Sequence, residues 1–124
     1  MLLLDATVLI DFLNNVPDAV DLMGSIDPKN TALSSVTLAE VLAGCEPQEE
    51  ERFLLFSQRF HFLSIDREIA VFAARLRQEH RWKLPDAFQA ALALHHKLTF
   101  ITRNSKDFDP RIHKFVKIPY QIRK

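Results

Sequence analysis

The 124-residue sequence is poor in several things that define common protein classes. It has one cysteine, Cys45, so no intrachain disulfide can form and a stapled secreted scaffold is excluded. A disulfide-free cytoplasmic protein is the default that follows. It has two glycines, Gly24 and Gly44, and no stretch with the character of a linker, a repeat or a low-complexity segment. One domain over residues 1–124 is therefore expected, with both glycines at helix C-termini, where a left-handed residue is wanted. No apolar run approaches the roughly 20 residues that cross a bilayer, so no membrane partner is expected. The apolar start is broken by Asp5 and Asp11 and lacks a basic leader, which argues against a signal peptide. There is also no net charge: 16 basic side chains balance 16 acidic ones. A dedicated duplex-DNA binder is usually visibly basic, because it must neutralise phosphates.

What is present is hydrophobic. Residues of that kind make up 48% of the chain and ten are Phe, which excludes a disordered tail. A chain of this length can bury about two-thirds of the surface its unfolded form exposes. The neutral total conceals a split. Residues 1–62 hold ten acids and three bases, a net of −7, and residues 63–124 hold six acids and thirteen bases, a net of +7. Such asymmetry points either to a polyanion or acidic partner on one face, or to two half-chains whose surfaces intermix on folding.

Short apolar runs alternate with helical patterns. Strands are expected at Met1–Asp5, Thr31–Ser35, Phe62–Ile65, Leu98–Thr102 and Val116–Ile118. Helices are expected at Thr7–Leu13, Pro17–Gly24 and Thr37–Gly44, the last with Thr37 and Glu40 at capping-box spacing. A further helix follows Pro47, with an acidic first turn and Phe53, Phe56 and Phe60 on one stripe. Two more run from Asp66 to about Glu79 and from Asp86 to His95. This alternation predicts an α/β protein, with a short, mainly parallel five-stranded sheet covered by helices on both faces. In such sheets the working groups collect beyond the carboxyl ends of the strands.

Acids stand at those ends. Asp5 closes the first strand, Glu40 follows the second, Asp86 opens the helix before the fourth, and Asn104 and Asp107 follow the fourth. Each has a local explanation as a cap, a capping-box member or a complement to a helix dipole. Those explanations leave the shared placement to coincidence. Carboxylates gathered in one place repel each other unless a cation intervenes. A hard dication such as Mg²⁺ or Mn²⁺ meets that need with one or two carboxylates, waters and phosphate oxygens.

Several segments, in this order, resemble one known family. Leu2-Leu3-Leu4-Asp5-Ala6-Thr7-Val8-Leu9-Ile10-Asp11 is similar to its opening strand, acid and helix. Ser34-Ser35-Val36-Thr37-Leu38-Ala39-Glu40 carries its second acid, Leu84-Pro85-Asp86-Ala87-Phe88-Gln89-Ala90-Ala91 its third, and Ile101-Thr102-Arg103-Asn104-Ser105-Lys106-Asp107-Phe108 its fourth-strand signature. Phe62–Ala70 and Ile118-Pro119-Tyr120 also fit. The family is that of the PIN-domain ribonucleases, in particular the VapC-type toxins of prokaryotic toxin–antitoxin pairs. The resemblance covers nearly the whole chain. It implies a three-layer α/β/α fold and a Mg²⁺- or Mn²⁺-dependent endoribonuclease acting on RNA, often tRNA. It implies Asp5, Glu40 and Asp86 as catalytic and metal ligands, with Glu40 bound directly or through water. The fourth acid departs from the pattern: many relatives have Asp where this chain has Asn104, and Asp107 either supplies the missing charge or caps the turn before Phe108. Ala6 also departs, where Thr or Ser is common, although Thr7 keeps a hydroxyl nearby. The resemblance further implies a homodimer and a cognate VapB-like antitoxin that blocks the pocket.

Arg81, Lys83, Arg103 and Lys106 flank the acidic edge as candidate phosphate contacts, with an ordinary solvated charge the alternative for each. Trp82 either stacks on a base or packs inside the fold. His95 and His96 are adjacent and give no zinc spacing, and Cys45 has no neighbour that would activate a thiolate. The Phe53/Phe56/Phe60 stripe is core, and Leu54 and Leu55 widen it enough to cover a subunit interface. Three other readings remain open. Asp5-Ala6-Thr7 partly matches an aspartyl-nucleophile phosphohydrolase, but the second acid two residues on is replaced by Thr7. A receiver-type signalling module would need Asp66 as phospho-acceptor, a position better read as a helix N-cap. Asn104 also allows a catalytically silent RNA- or protein-binding relative.

Overall fold

The computed structural model describes residues 1–121. Five short strands, β1 (Leu2–Leu4), β2 (Thr31–Ser34), β3 (His61–Leu63), β4 (Thr99–Ile101) and β5 (Val116–Lys117), form one sheet in the order β3-β2-β1-β4-β5. Every pairing is parallel. The helices are α1 (Ala6–Leu13), α2 (Pro17–Ser25), α3 (Ser35–Ala43), α4 (Pro47–Ser57), α5 (Arg67–His80) and α6 (Leu84–His96), with a 3-10 turn at Pro28–Asn30 before β2. None is long and apolar enough to cross a membrane.

The strands alternate side chains between two cores, as the two-residue period requires. Leu3, Ala32 and Phe100 face α5 and α6, meeting Ile69, Ala73, Leu76, Ala87, Ala90 and Ala91. Leu4, Leu33 and Ile101 face the opposite layer, where Val8 and Leu9 of α1, Val41 of α3 and Phe53 of α4 close over them. This is the expected three-layer α/β/α arrangement. The chain steps outward from β1 to β2 and β3, then returns across β1 to β4 and β5. Strand order therefore reverses between β1 and β4, where a parallel sheet opens a crevice at its carboxyl edge.

Local chemistry sets most helix boundaries. Asp66 caps α5 by accepting from the Ile69 backbone N–H at 2.9 Å. Pro47 opens α4, and the Glu49 carboxylate takes the Glu46 backbone N–H at 2.9 Å. Three expectations need correction. The capping box assigned to Thr37 and Glu40 does not form: Ser34 is the N-cap of α3 and accepts from the Thr37 backbone N–H at 3.1 Å. Thr37 is buried inside the first turn, and Glu40 is exposed. The third strand is shifted: β3 runs over His61–Leu63 rather than Phe62–Ile65 and lies at the sheet edge, where His61 and Phe62 are exposed. The glycines do not supply the left-handed positions. Gly24 lies inside α2 and Gly44 caps α3 at φ −98°, whereas Asn15, Arg81 and Lys97 adopt φ of 58°, 60° and 57° after α1, α5 and α6.

Leu33, fully buried in the central part of the sheet, tests the packing. Leu33→Ala is expected to lower the free energy of unfolding by about 2–5 kcal/mol, read from urea denaturation monitored at Trp82.

Candidate active site

Asp5 stands at the strand-order reversal. It follows β1, its backbone N–H donates to the Ile101 carbonyl at 2.9 Å, and its side chain caps α1. The residue is 5% exposed. A carboxylate so placed needs donors to stay charged, and it has four. Oδ1 accepts from the Ala6 backbone N–H at 2.9 Å and more distantly from Gln89 Nε2 at 3.4 Å. Oδ2 accepts from the hydroxyls of Thr7 at 3.0 Å and Thr102 at 2.7 Å. Thr7 in turn accepts from the Arg103 backbone N–H at 3.3 Å, tying the start of α1 to the loop after β4.

Three further carboxylates face Asp5. Asp86 lies in the first turn of α6, half-buried, and its pKa is raised from 3.8 to about 6. Desolvation is the largest cause, followed by the negative charges of Asp5, Asp107 and Glu40; Lys83 opposes them. Glu40 is largely open to solvent, yet partial desolvation and then the Asp5 charge raise its pKa as well. Asp5, Glu40 and Asp107, the other acids read from the sequence, thus all act on Asp86 across the same edge. Asn104, after β4, serves the fourth: its Nδ2 donates to Asp107 Oδ2 at 3.0 Å, and the Asp107 backbone N–H returns a bond to Asn104 Oδ1 at 3.3 Å. Trp82 braces the same loop by donating Nε1–H to the Asp107 carbonyl at 3.0 Å. Trp82 is buried and stacked on His80, with ring centroids 4.2 Å apart, so it packs rather than offering a face to a base.

The basic candidates divide. Lys106, Arg81 and Lys83 are exposed near the acidic edge. Arg103 is engaged elsewhere: its guanidinium grips Asp11 with Nε–Oδ2 at 2.7 Å and Nη2–Oδ1 at 3.2 Å. The Tyr120 hydroxyl donates to the same Asp11 carboxylate at 2.9 Å, and burial followed by that bond holds the phenol well above its usual pKa. Sequence reasoning assigned no role to Asp11, Gln89 or Thr102. Asp11 carried a signal, since an acid near the C-terminal end of a helix opposes the dipole unless it has a partner. Gln89 carried another: it is one amide in an otherwise apolar run from Ala87 to Ala93. Thr102 carried none.

The donor set suits a hard dication: carboxylate oxygens without thiolate or imidazole, held in mutual repulsion. Among the described residues no three His, Cys, Asp or Glu side chains form a ready-made ion cage. The fit is to an open site of one or two carboxylates completed by waters and substrate oxygens, as Mg²⁺ prefers. Asp5 Oδ1, with one short and one long hydrogen bond, has the spare acceptor capacity on that carboxylate.

The repulsion has a measurable sign. Asp86 binds its proton more tightly in the folded state, so its contribution to stability is present at low pH and fades as pH rises through about 6. Without divalent ions, the thermal midpoint of unfolding is expected to fall across pH 4–6. Asp107→Asn should flatten that fall and move the Asp86 carboxyl ¹³C titration to lower pH.

Comparison with known proteins bears on the family and the fold. The family model of the PIN domain matches residues 2–110. A chain in a toxin–antitoxin complex from Klebsiella pneumoniae is 35% identical and superposes with a TM-score of 0.88, covering 98% of this chain and 100% of that one. A chain of VapBC from Salmonella typhimurium, solved bound to DNA, is 25% identical with a TM-score of 0.76 and coverage of 97% and 100%. FitAcB from Neisseria gonorrhoeae, at 24% identity and a TM-score of 0.79 over 98% and 100% of the two chains, shares the fold. No curated protein matches the sequence significantly. The chain belongs to the PIN domain family, and the VapC-type resemblance carried by its acidic motifs holds.

Proposed function

We propose that this protein is a divalent-metal-dependent endoribonuclease and the toxin of a VapBC-type pair. The observation that carries the reading is the gathering of Asp5, Glu40 and Asp107 around Asp86: desolvation first, and then these three negative charges, raise its pKa to about 6, with Lys83 in opposition. Acids left this exposed to each other are suited to a cation and a polyanionic substrate rather than to an internal salt bridge. Asp5, Glu40 and Asp86 would hold Mg²⁺ or Mn²⁺, and Asp107 supplies the fourth charge in place of Asn104. Such an ion polarises a phosphodiester and lowers the pKa of an attacking water.

The chain's own part is orientation and charge. Thr7 and Thr102 fix the Asp5 carboxylate from one side, so that only Oδ1 turns toward an ion. Asn104 aims Asp107, and Lys106, Lys83 and Arg81 provide exposed cations for RNA phosphates. Arg103 contributes through Asp11, as a strut. The substrate class is RNA, with tRNA or another structured RNA the expected target.

The partner in this reading is a VapB-like antitoxin. An apolar groove of about 380 Å³, lined by Val36, Ala39, Ile65, Leu84, Pro85 and Phe88, runs up to Glu40 and would receive an antitoxin segment beside the acids. A homodimer belongs to the same proposal, supported by Leu54 and Leu55, which stand exposed on α4. Cytoplasmic residence follows from an RNA substrate.

Purified protein is expected to cleave end-labelled structured RNA in Mg²⁺ or Mn²⁺ and to stop in EDTA. Asp86→Asn and Asp5→Asn should each reduce the rate by about 100-fold or more, and Asp107→Asn by roughly 10-fold. Cleavage by Asp86→Asn at the wild-type rate in Mg²⁺ would overturn the assignment.

A further inference from the structure

Asp5, Glu40 and Asp86 arrive on three separate elements: the end of β1, the middle of α3 and the start of α6. Nothing in their own side chains holds them at a fixed spacing, because like charges push apart. One residue touches all three elements. Gln89 lies on α6 three positions after Asp86 and is only 1% exposed. Its Nε2 donates to Thr37 Oγ1 at 2.6 Å and to Asp5 Oδ1 at 3.4 Å, and its Oε1 accepts from Ser34 Oγ at 2.7 Å. Thr37 lies three positions before Glu40 on α3, and Ser34 is that helix's N-cap.

The orientation of the amide is forced. Thr37 spends its hydroxyl proton on the Leu4 carbonyl at 3.1 Å, so toward Gln89 it can only accept. Ionised Asp5 can also only accept. Both therefore require the NH₂ end, which leaves Oε1 for Ser34. Each polar atom in the cluster is satisfied; among the described residues no buried side-chain N or O lacks a partner. A fully connected buried network of this kind rigidifies the elements it joins. An amide also does so without adding charge. A base in its place would neutralise Asp5, and an acid would add to the repulsion.

We propose that Gln89 is a positioning residue of the acidic site, a buried strut that joins the Asp5, Glu40 and Asp86 elements and sets their capacity to share one divalent ion. The proposal rests on the metal-dependent reading given above. It predicts that Gln89 acts on ion affinity and turnover, although its own amide never reaches the substrate. Partners that orient metal-binding groups from behind typically change affinity or activity 10–100-fold when removed.

The experiment measures Mn²⁺ binding by calorimetry beside RNA-cleavage kinetics for the full chain and its variants. Gln89→Met keeps the length of the side chain and removes its hydrogen bonds. It should weaken Mn²⁺ binding by about 10-fold or more and lower kcat at saturating Mn²⁺, while KM for RNA stays within about 2-fold. Gln89→Glu keeps the shape but turns an acceptor toward Thr37 and Asp5, and should bind Mn²⁺ more weakly still. Thr37→Val removes one partner of the amide and leaves the others; it should weaken Mn²⁺ binding by roughly 3-fold, and it serves if Gln89→Met does not fold. Variants that unfold at lower temperature yet bind Mn²⁺ as the wild type does would show a purely structural residue and overturn the proposal. So would a Gln89→Glu protein with wild-type affinity. A wild type that neither binds Mn²⁺ nor cleaves RNA would overturn the metal-dependent reading itself, and is distinguished by Asp86→Asn having no effect on either measurement.

Discussion

A buried carboxylate has to be surrounded by donors, and much of this molecule's carboxyl edge surrounds Asp5. Its four partners come from α1, from α6 and from the segment after β4. Parallel pairing of β1 with β4 is what brings Thr102 to Asp5, and burial of the alanine-rich face of α6 is what delivers Gln89. The sheet topology and the anchoring of one acid are thus a single constraint. Once Asp5 is fixed, Asp86 and Glu40 are placed by helices that pack on the same sheet, and their repulsion is the unavoidable product of a fold that is satisfied everywhere else.

The charge split between the halves takes on a definite form. Part of the excess negative charge of the first half is concentrated in Asp5 and Glu40, and part remains on ordinary surface, as at Glu49, Glu50 and Glu51 of α4. One of the bases of the second half returns to the first: Arg103 closes on Asp11, with Tyr120 adding its hydroxyl. The halves therefore intermix in one place and remain unneutralised in another. The unneutralised place is the acidic edge. A neutral total says nothing about this, because an enzyme that meets a polyanion through bound cations has no need of a basic surface overall.

The strand-end acids were legible because alternation of apolar strands and helices implies a parallel sheet, and a parallel sheet implies where its polar groups converge. Their supports were not legible. Gln89 and Thr102 reach Asp5 across 84 and 97 residues of chain, and no local pattern encodes such a meeting. Thr37 misled for the opposite reason. It had a convincing local explanation, but Ser34 stood three positions earlier and took the cap, which released Thr37 into the core. The edge position of β3 is likewise a property of topology, which the strand's own sequence does not encode. The left-handed helix ends fell on Asn15, Arg81 and Lys97 rather than on glycine. Asn tolerates that conformation, and the two cations offset part of its cost of about 1–2 kcal/mol by sitting at negative helix ends.

The order in which the strands join the sheet has a temporal side. The central strand, β1, is made first, but its neighbour β4 begins at Thr99, and Thr102, Asn104 and Asp107 come later still. During synthesis the first hundred residues can pair only β1, β2 and β3, with Asp5 short of Thr102 and one flank of β1 unpaired. A chain interrupted at that stage carries three of the four acids yet lacks the loop that completes their setting. The setting of Asp5 is therefore complete only once the segment that carries Thr102, Asn104 and Asp107 has joined the fold.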